Sequence, residues 1–491
     1  MTTLATRGAG DPAAASTSFF GHPRGLATVF TIELWERFSF YGMQAILLYY
    51  LYYSVTDGGL AISFAAATSI VGAYGGFVYL STILGAWTAD RMLGAERTLF
   101  LSAVLIMAGH ISLAVLPGLA GLAVGLVLVA VGSGGLKANA SVIVGELYAR
   151  TDPRRDAGFS IFYLGVNLGA LVGPLLTGFT QSTWGFHAGF SVAAIGMAIG
   201  LAVYWRTRDW LPLSAATVCD PAPAGSGPRI VAAVLGAAAL VALAGFTGIL
   251  TLENLSTAVV TVVAVTAVAY FVVILRSPKV TGEERSRVRA FMPLFLANVA
   301  FWALFQQQFT VVATFADKRL DREVLGWTFP AAWVQSINPV FIVLLAGVFA
   351  YAWTRLGERG PSSPWKLGAG TILMGVAFLL FLPLAGGGPG SAPLLALIGI
   401  LLVFTIAELL LSPVGLSLTT RLAPSRFRSQ MMALYFLSVA MGSALAGTLA
   451  RFYDPAREAP YFLSLGLVSI AVGLVTLALV PWIRRASVGV L

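Results

Sequence analysis

Residues 256–275 read STAVVTVVAVTAVAYFVVIL, a run without a charge, a proline or a glycine. A helix needs about 20 residues to cross the hydrocarbon of a bilayer, so a run of this length and polarity reads as a membrane-spanning helix. Comparable runs recur at 97–116, 229–248 and 458–482, with few or no charges inside. The whole chain of 491 residues is 58% hydrophobic and only 10% charged, against about 25% charged in a soluble domain. A membrane barrel would show short segments of alternating polarity, and none is present. The expectation is an all-α membrane bundle.

Working outward, helices are expected near 25–53, 66–89, 97–116, 120–149, 157–181, 187–205, 229–248, 256–276, 290–316, 328–353, 366–386, 391–420, 426–452 and 458–482. Residues 1–24 read as a disordered cytoplasmic tail, and 25–206 as a first bundle of six helices. Residues 207–289 hold a Pro/Gly-containing polar stretch, two Ala/Val-rich helices that look like lipid-facing spacers, and a charged linker. Residues 290–491 supply six more helices. The lone Cys219 excludes an internal disulfide.

The basic residues orient the bundle. The connections on the N-terminal side carry Arg24, Arg91, Arg97, Arg150, Arg154, Arg155, Arg206, Arg208, Arg229 and most of the rest. The opposite side holds only Lys318, Arg319, Arg322, Arg451 and Arg457. By the positive-inside bias, the N-terminal side and both termini are expected in the cytoplasm, with the chain in the cell inner membrane. This bias accounts for the formal net charge of +9, and nucleic acid is not needed to explain it. Two six-helix halves with both termini on one side suggest the major facilitator arrangement, two bundles with a site between them.

The informative residues are the charges left inside the membrane: Glu33, Glu36, Arg37, Lys137 and Glu408. A charge at the bilayer centre costs at least about 2.5–3.5 kcal/mol, so such residues face a cavity or one another. In Glu33-Leu34-Trp35-Glu36-Arg37-Phe38-Ser39-Phe40-Tyr41-Gly42, positions 33, 37, 41 and 44 share a helix face, with 36 and 40 beside them. A packing ion pair needs only Glu33 and Arg37; the second carboxylate has no local need, and adjacent carboxylates suit a proton carrier. Lys137 lies in Gly132-Ser133-Gly134-Gly135-Leu136-Lys137-Ala138-Asn139, too deep to reach the surface. Glu408 precedes Ser412-Pro413. Irregular helix geometry is expected at Gly134-Gly135, Asn338-Pro339 and Ser412-Pro413.

These same residues carry a family resemblance. Glu33 through Gly42 resembles the ExxERFxYYG motif of the proton-dependent oligopeptide transporters, with Phe40 at the usual first tyrosine. The Gly-Ser-Gly-Gly-Leu-Lys-Ala-Asn run is similar to that family's fourth-helix signature, with Ala138 in place of proline. Phe162 through Gly169, Phe301-Trp302, Gln335 through Pro339 and Glu408 through Ser417 continue the match. Gly85 through Arg97 resembles the superfamily's loop between helices 2 and 3, and the two-helix insertion is typical of bacterial members.

The resemblance implies import of di- and tripeptides by proton symport, without a cofactor, by a monomer. Within it, Arg37 and Lys137 suit the peptide carboxylate and Glu408 its ammonium. Asn167 and Asn338 suit the peptide backbone, and Tyr41, Tyr79, Trp302, Tyr435 and Ser438 the pocket wall, with Tyr435 at a usual tryptophan. Glu33 and Glu36 are the expected proton carriers, with Arg37, Lys137 and Glu408 in the coupling. A Glu408–Lys137 pair would close the cytoplasmic side. Gln44 and Gln306 stand where many relatives carry an arginine and a glutamate, so a charged periplasmic gate is expected to be missing and a neutral amide pair to take its place.

Rival classes find less support. The chain has no GxSxG and no HExxH; its GxGD-like Gly8-Ala9-Gly10-Asp11 lies in the polar tail, so an enzyme is not expected, nor a metal site. None of the histidines is expected to carry the coupling: His22 lies in the tail, and His110 and His187 are expected in satisfied structural roles. The alternative within the same class is a proton-coupled carrier of another small solute, such as nitrate or a peptide-like drug.

Overall fold

The computed structural model describes residues 17–149, 151–223 and 225–487; most of the expected tail, with Gly8 through Asp11, lies outside them. Residues 17–23, placed in that tail by the sequence reading, instead pair as two short antiparallel strands, Thr17–Phe19 and His22–Pro23. His22 anchors them through Nδ1, 2.8 Å from the Tyr148 hydroxyl.

Fifteen α-helices follow among the described residues. The first six are α1 Arg24–Tyr52, α2 Phe64–Thr88, α3 Ala95–Val115, α4 Gly118–Glu146, α5 Arg155–Trp184 and α6 Phe186–Thr207. The hairpin is α7 Gly227–Phe246 and α8 Leu255–Arg276. The second half holds α9 Gly282–Phe305, α10 Val311–Lys318, α11 Ile337–Leu356, α12 Ser363–Leu379, α13 Leu394–Leu422, α14 Arg428–Ala450 and α15 Glu458–Ala486. Among the described residues, 13 helical runs are long and apolar enough to cross a membrane. α1 is the further long helix, 29 residues, and its charges and tyrosines keep it out of that set. Here the near end denotes the end of the bundle where α1 begins, and the far end the opposite one.

Two expected helices are broken. The segment at 290–316 passes from α9 through a 3-10 turn, Gln306–Phe309, into α10. The segment at 328–353 starts as a 3-10 turn, Ala331–Ser336, before α11. Glutamine side chains occupy the backbone groups these breaks free: Gln335 Nε2 donates to the Gln308 carbonyl at 2.6 Å, and Gln307 Nε2 to that of Ala303 at 3.3 Å. Non-helical backbone at membrane depth survives only where it is satisfied inside the protein.

The expected irregularity at Gly134-Gly135 does not occur; α4 runs straight through both. The glycines serve packing instead. A Cβ on Gly134 would strike Ser81, and one on Gly85 would strike Gly135, so α2 and α4 touch backbone to backbone. α13 likewise continues unbroken through Ser412-Pro413, and the break near Asn338-Pro339 falls just before them. The polar stretch after α6 is a strap: Asp220 N–H donates to the Asp90 carbonyl at 3.0 Å and Ala222 N–H to that of Arg91 at 2.9 Å.

The halves meet along α2 and α14 in the same way, by glycine. A Cβ on Gly72 would lie 2.5 Å from the Gly447 Cα. Gly72→Ala is therefore expected to destabilise the fold by about 1–3 kcal/mol, read as a lower unfolding midpoint in detergent. Gly236→Ala on α7, where a Cβ meets open space, is expected to leave the midpoint unchanged or slightly raised.

Candidate functional site

Between the halves lies a cavity of about 100 Å³ lined from both sides. α1 supplies Arg37, Phe40, Tyr41 and Gln44; α2 supplies Tyr79, α4 Lys137, and α5 Tyr163 and Asn167. The second half supplies Trp302 from α9, Gln306, Gln308, Phe309 and Gln335 from the two broken segments, Asn338 from α11 and Glu408 from α13. The helix breaks thus turn amide side chains and freed backbone toward the cavity, which a continuous apolar helix could not do.

The charges of α1 form one cluster. Arg37 Nε stands 3.0 Å from Glu33 Oε1 and 2.7 Å from Glu36 Oε2, and the Ser133 hydroxyl of α4 donates to Glu36 Oε1 at 2.7 Å. All three charged residues are buried, with exposures of 3%, 0% and 4%. Two carboxylates face one guanidinium, so the cluster carries one negative charge more than it neutralises. Arg37 Nη2 has no hydrogen-bond partner, which leaves a donor of this cavity-lining residue free.

The remaining two charges are not compensated. Lys137 Nζ lies 4.3 Å from the centre of the Tyr79 ring, a cation–π contact. Glu408 Oε2 accepts from Asn338 Nδ2 at 3.2 Å, and that amide also donates to Thr405 Oγ1 at 3.1 Å. Neither charge has an ion-pair partner among the described residues, so the expected Glu408–Lys137 pair is not formed in this conformation. Asn167 Nδ2 donates to the Tyr163 carbonyl at 2.9 Å. Tyr41 stacks on Phe309 across the halves, ring centres 6.3 Å apart.

Some expected residues are placed elsewhere. Ser438 does not line the cavity. Ser438 is fully buried, accepts from Asn298 Nδ2 at 2.6 Å and donates to the Tyr435 carbonyl at 2.6 Å, tying α9 to α14. Tyr435 packs on α13 at Gly415, where a Cβ would lie 2.9 Å from its ring. Gln44 and Gln306 both line the cavity but do not bond each other: Gln306 donates to Ser443 Oγ at 3.2 Å, and Gln44 Oε1 has no partner. His187 is held through Leu113 at 3.0 Å, whereas His110 is fully buried with neither ring nitrogen partnered, so it is not the satisfied structural histidine expected.

The sequence reading missed what closes the far end. The Tyr52 hydroxyl donates to Asp317 Oδ2 at 2.5 Å and the Tyr53 hydroxyl to Asp317 Oδ1 at 2.7 Å, joining the end of α1 to the end of α10. Beside them the Tyr49 hydroxyl donates to the Ala313 carbonyl at 3.1 Å. Trp333 Nε1 and Ser336 Oγ reach the α5 carbonyls of Leu175 and Leu171 at 2.9 and 2.8 Å. The closure therefore does contain a carboxylate, at a place the motifs did not indicate. Its only sequence signal is the tyrosine run 49–53 at a helix end, which reads equally as an interfacial aromatic belt.

Comparison with known proteins bears on what such a cavity does. Residues 96–463 match the profile described as the POT family. A di-/tripeptide transporter of Lactococcus lactis subsp. cremoris is 42% identical over 94% of this chain and 95% of its own. The uncharacterized transporter YclF of Bacillus subtilis is 43% identical over 96% of each. A crystal structure of peptide transporter POT in complex with sulfate superposes with a TM-score of 0.92 at 44% identity, covering 97% of this chain and 98% of that one.

The tyrosine clamp yields a direct expectation. Tyr52→Phe and Tyr53→Phe should each cost about 1 kcal/mol, and Asp317→Ala at least as much as the two together. Thermal unfolding of the purified protein checks this; a wild-type midpoint for Asp317→Ala would show that the clamp carries no stability.

Proposed function

Because this chain belongs to the POT family, the proton-dependent oligopeptide transporters, we propose that it imports di- and tripeptides together with protons by alternating access. As a member it is a multi-pass transport protein and not an enzyme. One observation carries the substrate reading: Lys137 and Glu408, two charges of opposite sign and without ion-pair partners among the described residues, stand on opposite halves of one cavity. A short peptide is a zwitterion and supplies both missing counterions at once. Asn167 and Asn338 offer donors and acceptors to the amide backbone, so recognition falls on groups common to all peptides, and side chains of many kinds fit.

The α1 cluster supports the coupling. Arg37 is held at Nε by two carboxylates while Nη2 stays free for a substrate carboxylate. A proton on Glu36 cancels the cluster's excess charge and weakens its hold on Arg37, so proton and peptide favour the same rearrangement. Once substrate leaves, Lys137 and Glu408 can neutralise each other as the near end closes, which resets the carrier. The driving force is the proton gradient, with no cofactor. The near end, rich in arginine, faces the cytoplasm with both termini, the membrane is the cell inner membrane, and a single chain holds the whole site. Nitrate fits less well, because Glu408 would then face an anion; a peptide-like drug carrying both termini would share the site.

Competition uptake in proteoliposomes tests the substrate. Di- and tripeptides should displace a labelled dipeptide and tetrapeptides should not; equal competition by all three lengths, or by none, overturns the reading. N-acetylation of a dipeptide should weaken competition at least about tenfold in wild type, a loss of an ionic partner, and Glu408→Gln should erase that difference. Glu36→Gln is expected to abolish uptake driven by a pH gradient while leaving peptide counterflow measurable. Undiminished gradient-driven uptake would remove Glu36 from the coupling.

A further inference from the structure

We propose that α8 is a strut that holds the far end shut, packed into the seam against α14 of the second half and α2 of the first, and hydrogen-bonded to both at its opening turn. Of the two hairpin helices expected as lipid-facing spacers, α7 fits that description, with none of its residues buried. α8 does not. It buries Ser256, Val263, Ala267 and Ile274, a narrow stripe with the 3.5-residue repeat of a helix-packing seam. Val263, Ala267 and Ile274 join the apolar core of the second half, and Phe271 packs on Phe295 of α9 at 5.6 Å between ring centres.

The far-end turn of α8 sits across the seam between the halves. The Ser256 backbone N–H donates to Ser69 Oγ of α2 at 3.0 Å, while Thr448 Oγ1 of α14 donates to Ser256 Oγ at 2.9 Å. Ser63, at the start of α2, donates to Glu253 Oε1 at 3.2 Å. One turn deeper three helices converge on a glycine: a Cβ on Gly76 would lie 2.9 Å from Val259 of α8 and 3.0 Å from Ala444 of α14.

The chemistry gives this contact a direction. A first-turn N–H has no partner within its own helix, and in hydrocarbon a donor without an acceptor is costly. Ser69 satisfies it only while α2 lies against α8 and α14. Opening the far end parts α2 from α14 and leaves the Ser256 N–H facing lipid. The hairpin thus biases the carrier toward the far-closed state without touching the cavity.

The test reads distance rather than transport, so it stands apart from the substrate proposal. With Cys219→Ser as background, spin labels on Val55→Cys and Leu325→Cys mark exposed points at the far end of the two halves. In lipid nanodiscs, Ser69→Ala is expected to raise the long-distance population about threefold, the typical weight of one polar contact between membrane helices. Ser69→Ala with Glu253→Ala should raise it further, and Ser69→Thr, which keeps the hydroxyl, should hold the wild-type distribution. Thr261→Ala, on the exposed face of α8, is the control. A wild-type distribution in the Ser69→Ala/Glu253→Ala protein, or an equal shift in Thr261→Ala, overturns the proposal. Glu253→Ala alone lies in an exposed loop and leaves the packing intact, so a small shift there supports the strut, and its absence counts against it, even if the Ser69 variants fail to fold.

Discussion

A guanidinium buried between two carboxylates is the constraint from which the rest of the site follows. Arg37 cannot leave the membrane interior, so it must be neutralised there, and Glu33 and Glu36 do this with one charge to spare. Breaking such a cluster by removing one partner strands a buried charge, at about 3–5 kcal/mol. That cost keeps α1 in register against α4, whose Ser133 holds Glu36. It also places the free edge of Arg37 in the same cavity as Lys137. The cluster's spare negative charge and Lys137 offset each other in sum without forming an ion pair, and Glu408 stands alone across the interface.

The second half is built to present polar groups without losing backbone hydrogen bonds. Its two helix breaks occur where glutamines stand close by, and Gln307 and Gln335 occupy the freed carbonyls. Tyr461 donates to Gln307 Oε1 at 2.6 Å and keeps that side chain in place. The breaks turn Gln306, Gln308 and Asn338 to the cavity and stop short of lipid. Local unwinding and membrane stability coexist here because each freed group has a protein partner.

Closure at the far end is distributed over unlike contacts. Glycine pairs bring α2 and α14 to backbone contact, tyrosines clamp Asp317, and α8 covers the seam from outside. The glycine crossing is non-directional and can slide or separate at modest cost, whereas the hydrogen bonds are satisfied in one arrangement only. A carrier that must open and close needs both kinds: packing that tolerates two states and polar contacts that tell them apart.

The sequence by itself determined the class, the number and order of the long helices, the split into two halves and a hairpin, and the chemical inventory of the site. It could do so because each of these rests on local properties: run length against bilayer thickness, or a charge that has no business in hydrocarbon. Glu33, Glu36, Arg37, Lys137 and Glu408 stood out for that reason alone, and all but the two acids of α1 line the cavity directly. The family resemblance added their expected roles. What only the tertiary structure decided are the pairings. Ser438 turned inward to the second bundle, Gln306 took Ser443 rather than Gln44, and Gly134-Gly135 became a contact surface rather than a bend. Asp317 and its tyrosines lie about 265 residues apart in the chain, and Ser256 meets Ser69 and Thr448 across 187 and 192. No local pattern encodes such partners, because a hydroxyl or an amide at a helix end is satisfied equally well by solvent, by its own turn or by a neighbour. Which of these it meets is set by how the helices cross.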